Sequence, residues 1–313
     1  MPTTPTPQQQ APIPEMQHPL KVQVEMVHLY ATVRDRHGEI VPNLTADNFR
    51  VFEDGQQQKI AYFNRSANLP LTLAILIDTS GSQQSLLPQE QVAAKRFLKL
   101  VLKPKDLALV MSFDTQVNML ADFTTSLSVL DSAIDRAKIN APVSSGVITP
   151  GTFPTGNKIT GTDFYDAVYL ASRDKLAGQS GRKAIIALTD AQDYGSNETE
   201  NDAIQAAQLA NAVIHVVLVA DPWEYINMGT GYIGGEVAQR MANQTGGVVI
   251  RAHTEKQMDK AFTELSQELR SQYVIGYYPT NEAHNGTFRK VRIETTPQHY
   301  HVLTRAGYYA PMD

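Results

Sequence analysis

The stretch Leu73-Ala-Ile-Leu-Ile-Asp78-Thr-Ser80-Gly-Ser82 constrains what this chain can fold into more than any other. An unbroken apolar run stops abruptly at one acid and two hydroxyls. Such a run reads as a strand buried on both faces, the kind found in the middle of a parallel sheet covered by helices. Asp78 then sits where the strand emerges. Gly81 lets the backbone turn sharply, and Ser80 and Ser82, two apart in an extended loop, direct their oxygens the same way. Doubly wound folds place their ligand sites at the carboxyl ends of such strands. Ligands that are all oxygen suit a hard cation such as Mg²⁺. The same residues also have a plainer reading, because Asp, Thr and Ser all satisfy the free N–H groups of a following helix.

Two further segments favour the cation. Gly161-Thr162-Asp163-Phe-Tyr-Asp166 opens a later helix, and Ala184-Ile-Ile-Ala-Leu-Thr189-Asp190 is a second buried-type strand ending in an acid. Together, Asp78-x-Ser80-x-Ser82, Thr162 and Asp190 resemble the metal-ion-dependent adhesion site of von Willebrand factor A domains. The resemblance implies that both serines and the threonine touch a divalent ion, Mg²⁺ or else Mn²⁺ or Ca²⁺. It implies that the two aspartates touch the ion or hold its waters. Thr160 is an alternative to Thr162, and Ala191 stands where the family usually has Gly. That departure leaves the ligand set intact and bears on the path of the loop. Asp114 and Asp163 read instead as a strand-end cap and a first-turn acid.

The rest of the chain falls into segments around this site. Residues 1–19 are rich in Pro, Thr and Gln and read as a flexible arm. No charged-then-apolar signal stands ahead of them, as in a chain whose signal has been removed or in a cytosolic tail. From 69 to 271 strands alternate with amphipathic helices, which makes a doubly wound α/β domain with a six-stranded, mostly parallel sheet. The flanks, 20–68 and 272–313, carry strand patterns only. Asp54-Gly55 and Asn285-Gly286 serve as their turn signals. Neither flank buries enough surface alone, so the expectation is one β-sandwich built from both chain ends, with the α/β domain inserted between its halves. These flanks, in Leu44-Thr-Ala-Asp-Asn-Phe and Gln272-Tyr-Val-Ile-Gly-Tyr-Tyr-Pro, are similar to von Willebrand factor A-related bacterial proteins frequent in acidobacteria. That likeness implies an extracellular, periplasmic or cell-surface protein with a recognition role and no enzymatic activity.

Bulk properties narrow the function from the other side. A net charge of −5 gives no reason to expect nucleic acid as a partner. No stretch approaches the roughly 20 apolar residues of a membrane span. With no cysteine, disulfides, thiolate catalysis and Cys-type zinc sites are excluded. Phosphate loops, His-Glu-x-x-His and Gly-x-Ser-x-Gly motifs are missing. An Asp-nucleophile phosphohydrolase with Asp78 attacking is the enzymatic rival, but it wants an acid where Ser80 stands. A self-assembling structural protein is another rival. In the adhesion reading a protein partner presents an Asp or Glu carboxylate to the ion. Two long irregular stretches, around Phe153 and around Trp223, are candidates to frame the ligand surface.

Overall fold

The computed structural model describes residues 26–65, 69–139, 161–219 and 233–312. The chain opens with β1 (Val27–Arg34), β2 (Phe49–Glu53), β3 (Gln56–Gln58) and β4 (Ile60–Arg65). The α/β segment follows as β5 (Leu71–Asp78), α1 (Leu87–Val101), β6 (Leu107–Phe113), β7 (Val117–Thr124), α2 (Leu127–Arg136) and α3 (Phe164–Leu170). It continues with β8 (Arg182–Thr189), α4 (Glu200–Leu209), β9 (Ala212–Leu218), α5 (Gly234–Thr245), β10 (Val249–Arg251) and α6 (Glu255–Arg270). The last strands are β11 (Tyr273–Tyr277), β12 (Phe288–Thr295), β13 (His301–Leu303) and β14 (Gly307–Tyr309).

The central sheet has six strands in the order β10-β9-β8-β5-β6-β7, all parallel except the edge strand β7. Every residue of β5 and β9 is buried, as a near-continuous apolar run requires when helices cover both faces. The period of two divides β5 between two cores. Leu71, Leu73, Ile75 and Ile77 pack with α1, α2 and α6, and Ala74 and Leu76 with α3, α4 and α5. On the first face Phe97 and Phe262 meet with ring centroids 4.9 Å apart, locking α1 to α6.

Helix ends follow the local chemistry. Pro88 stands in the first turn of α1. Thr199 and Asp202 form a capping box on α4, Thr254 caps α6, and Gly246 at φ 86° ends α5. Past Leu170 the third helix widens to π winding over Ala171–Leu176. Among the described residues, no helix is long and apolar enough to cross a membrane.

The flanking strands form two four-stranded sheets, β13-β1-β11-β4 and β14-β12-β2-β3. Each sheet interleaves strands from both chain ends. Leu29 of β1 lies opposite Ile275 of β11, and Val51 of β2 opposite Ile293 of β12. A single apolar cluster draws on both sheets, with Leu29, Val33, Tyr273 and Tyr277 from one and Phe49, Val51, Ile293 and Tyr308 from the other. The tight turn after β2 uses Asp54 and Gly55 at φ 47° and 85°, the conformation an Asp-Gly hairpin needs. Buried Glu268 on α6 meets Arg34 of β1 at 2.5 Å, tying the α/β segment to the strands. Buried Arg182 bonds the carbonyl of Leu269 and, at 3.3 Å, that of Leu69.

Candidate metal centre

β5 delivers Asp78 to the carboxyl edge of the sheet, where the apolar run ends and the carboxylate is fully buried. Its Oδ2 accepts from the Thr189 hydroxyl at 2.6 Å, and its Oδ1 accepts from the Ser80 amide at 3.0 Å. Gly81–Gln83 then wind one 3-10 turn, and the Ser80 and Ser82 hydroxyl oxygens lie 3.0 Å apart. Gln83 Nε2 donates to the Val219 carbonyl at 3.3 Å, pinning this turn to the end of β9.

Asp190 follows β8, the strand next to β5 in the sheet, and its Oδ1 accepts from the Gln192 amide at 3.0 Å. Ala191 takes φ 57°, in the left-handed region where a Cβ costs roughly 1–2 kcal/mol. The methyl is fully buried, and its burial, about 0.8 kcal/mol, offsets part of that strain. The departure noted in the sequence therefore keeps the loop conformation a glycine would adopt. α5 presses on this loop from above, since a Cβ on Gly234 would fall 2.1 Å from the Asp190 carbonyl oxygen.

Thr162 reaches the same edge through its backbone. The amide of the next residue, Asp163, donates to the Asp114 carbonyl at 2.6 Å, and the Tyr194 amide donates to the Thr162 carbonyl at 3.1 Å. Asp114 in turn accepts from the Thr79 hydroxyl at 2.9 Å, so the ends of β5 and β6 and the loop after β8 hold Thr162 between them. Side-chain bonds thus gather Asp78, Ser80, Ser82 and Thr189, and Asp190 lies within electrostatic reach of Asp78. Asp163 is the residue before α3, with φ −91° and ψ 58°, rather than an acid inside its first turn. The stretches around Phe153 and Trp223 lie outside the described residues.

The electrostatics of this edge are dominated by buried acids close to one another. Burial, and after it the neighbouring Asp190, push the Asp78 carboxyl up to about 7. Glu90 on α1 is fully buried, and neither carboxyl oxygen has a hydrogen-bond partner. Burial first, then Asp78 and Asp190, hold Glu90 well above the ordinary carboxylate range. No cation among the described residues is a leading influence on either group. Among the described residues no three His, Cys, Asp or Glu side chains group as a metal site, so hydroxyls must complete any ligand set. The paired serine oxygens beside two mutually repelling carboxylates fit a hard divalent cation, which would relieve the repulsion between Asp78 and Asp190.

Sequence reasoning missed Glu90 because an acid in a first turn ordinarily faces solvent and the helix dipole. The signal was present in its spacing. Ala93, Ala94 and Phe97 follow it at +3, +4 and +7, on the buried face of α1.

No family model matches the chain, and no curated protein matches it. Solved structures do. Proximal thread matrix protein 1 from the mussel byssus superposes with TM-score 0.51 at 14% identity, covering 70% of this chain and 51% of that one. The chain has a von Willebrand factor A fold. This chain spans about half the length of the byssus protein. A von Willebrand factor type A structure from Catenulispora acidiphila aligns at 13% identity and TM-score 0.49, over 85% of this chain and 74% of that one. BatB from Bacteroides thetaiotaomicron aligns at 17% identity and TM-score 0.48, over 64% of this chain and all of that one, 100%. In this A-type fold Asp78 ends β5, and Ser80, Ser82 and Asp190 lie just beyond β5 and β8, all at the carboxyl edge of the parallel sheet.

Proposed function

We propose that Ser80, Ser82, Thr162, Asp78 and Asp190 hold one divalent cation, Mg²⁺ by preference, and that the chain is a non-enzymatic module for binding proteins. The observation that carries this reading is the Ser80–Ser82 hydroxyl pair, 3.0 Å apart, beside the fully buried Asp78 carboxylate that burial and Asp190 make costly to ionise. When bound, the ion supplies an open coordination position with positive charge, suited to a partner's Asp or Glu carboxylate. The chain's own residues prepare that position. Thr189 and the Ser80 amide fix the Asp78 carboxylate, and the 3-10 turn holds the two serines together. Asp78 makes a poor nucleophile, because it has no exposed surface and both its oxygens already accept hydrogen bonds. This geometry speaks against the phosphohydrolase.

The interleaved flanking sheets support reading 20–68 and 272–313 as one β-sandwich around an inserted domain at 69–271. Both flanks feed one apolar cluster. The sequence resemblance supports placing the protein outside the cytoplasm.

Melting the full chain in Mg²⁺ and in chelator tests the proposal. At about a hundredfold above its dissociation constant the ion stabilises by about 2.7 kcal/mol, a rise of several degrees for a chain this size. Ser82→Ala is expected to melt near wild type in chelator and to show no response to Mg²⁺ or Mn²⁺. Equal midpoints for wild type in Mg²⁺, Mn²⁺ and chelator would overturn the reading.

A further inference from the structure

A second site lies away from the carboxyl edge. A cavity of about 210 Å³ opens between the C-terminal end of α4 and the last strands, lined among others by Leu209, Asn211, Arg289, Arg305, Tyr309 and Pro311. Its two arginines are placed differently. Arg289 is buried and meets equally buried Glu53 at 3.4 Å, so its charge is balanced. Arg305 makes its hydrogen bonds to neutral acceptors, the Asn211 side-chain oxygen and the His28 carbonyl, each at 3.0 Å. No carboxylate lies within salt-bridge distance of Arg305 among the described residues, and the groups that act on its charge are Tyr277, Tyr308 and Tyr30. Its guanidinium sits 5.3 Å from the Tyr308 ring centroid, and its Nε is buried without a partner.

The position of Arg305 is enforced from both sides. A Cβ on Gly246 would fall 2.6 Å from the Arg305 amide nitrogen, and the Ala306 amide donates to the Gln244 carbonyl at 3.1 Å. Asn211 meets it from the turn between α4 and β9 in the left-handed conformation, φ 53°, which Asn tolerates better than most residues. A half-buried cation held this firmly without a counter-charge is costly unless something anionic joins it. The planar fork of a guanidinium matches a carboxylate, and an apolar pocket suits an organic one. The remaining walls are mainly apolar or aromatic, as in small-molecule sites. Glu282, also on the lining, is exposed to solvent.

We propose that this cavity binds a small organic carboxylate, with the anionic end on Arg305 and the apolar body against Leu209, Tyr309 and Pro311. Benzoate is the probe and benzamide its neutral counterpart, each titrated into the full chain with binding read by ligand-observed NMR. Benzoate is expected to bind at least about tenfold more tightly than benzamide and to lose that margin in Arg305→Gln. Leu209→Trp, made at an exposed rim residue, is expected to block benzoate and leave the fold intact. Where Arg305→Gln does not fold, the Arg305 Nε–H resonance of the wild type decides. It is expected to shift with benzoate and stay fixed with benzamide. Equal binding of the two probes, no binding of benzoate, or benzoate binding undiminished by Leu209→Trp would each overturn the proposal.

Discussion

Asp78 carries electrostatic strain at the candidate metal centre, and the sign of its effect is fixed. Burial and Asp190 raise its carboxyl from the ordinary aspartate range to about 7. Between roughly pH 4 and 7 the folded, metal-free chain therefore binds more protons at this group than the unfolded chain does. Stability from this group is fullest in acid and is lost as pH rises toward 7. Asp78→Asn removes the titration. In chelator, wild type should match or exceed the variant near pH 4 and fall behind it by up to about 4 kcal/mol by pH 8. Urea unfolding across that range measures the difference, which also cancels opposing groups such as His215, lowered by burial to about 3. A gap independent of pH would contradict the assignment. Asp78, Ser80 and Ser82 were legible in the sequence because an apolar strand cannot end in an acid and two hydroxyls without placing them at the sheet edge. Glu90 was not, because only its spacing on α1 separates it from a solvated first-turn acid.

The site is assembled by elements that meet end-on, and Gly234 is where one of them comes closest. The first turn of α5 sits against the backbone of Asp190 and Ala191 with no room for a methyl group. Gly234→Ala must displace either the helix or the loop, at a cost of about 1–3 kcal/mol. The Mg²⁺ response of the melting midpoint should shrink in that variant. A variant as stable and as responsive as wild type would show that the loop position is irrelevant to the ion. Strands and helices were mostly legible here, since β5, β8 and β9 are mainly apolar runs and α1, α2, α4 and α6 carry Pro, Ser or Thr at their starts. The segment 161–166, expected to open a helix, becomes helical only at Phe164. Asp163 has non-helical dihedrals, and its amide is already bonded to Asp114. The π winding after Leu170 has no glycine or proline to announce it.

The whole molecule depends on pairing between its two ends. β11 lies between β1 and β4, and β12 between β2 and β14. Removing 272–313 uncovers Leu29, Val33 and Val51, each worth roughly 1.5–3 kcal/mol when buried. Trypsin should then cut rapidly within 26–65, at sites such as Arg34 and Lys59, and a resistant 26–65 fragment would contradict the shared sandwich. Too few strands at either end to form a core made this pairing legible. The strand order and register were not, because they follow from packing among distant residues. The adhesion reading itself rests on an ion count, one per chain. Titration of Mn²⁺ followed by electron paramagnetic resonance measures that count directly. Wild type should bind a single Mn²⁺, Mg²⁺ should displace it, and Asp78→Asn and Ser80→Ala should abolish it. Failure of wild type to bind Mn²⁺, or binding that survives both substitutions, would contradict the metal-dependent function.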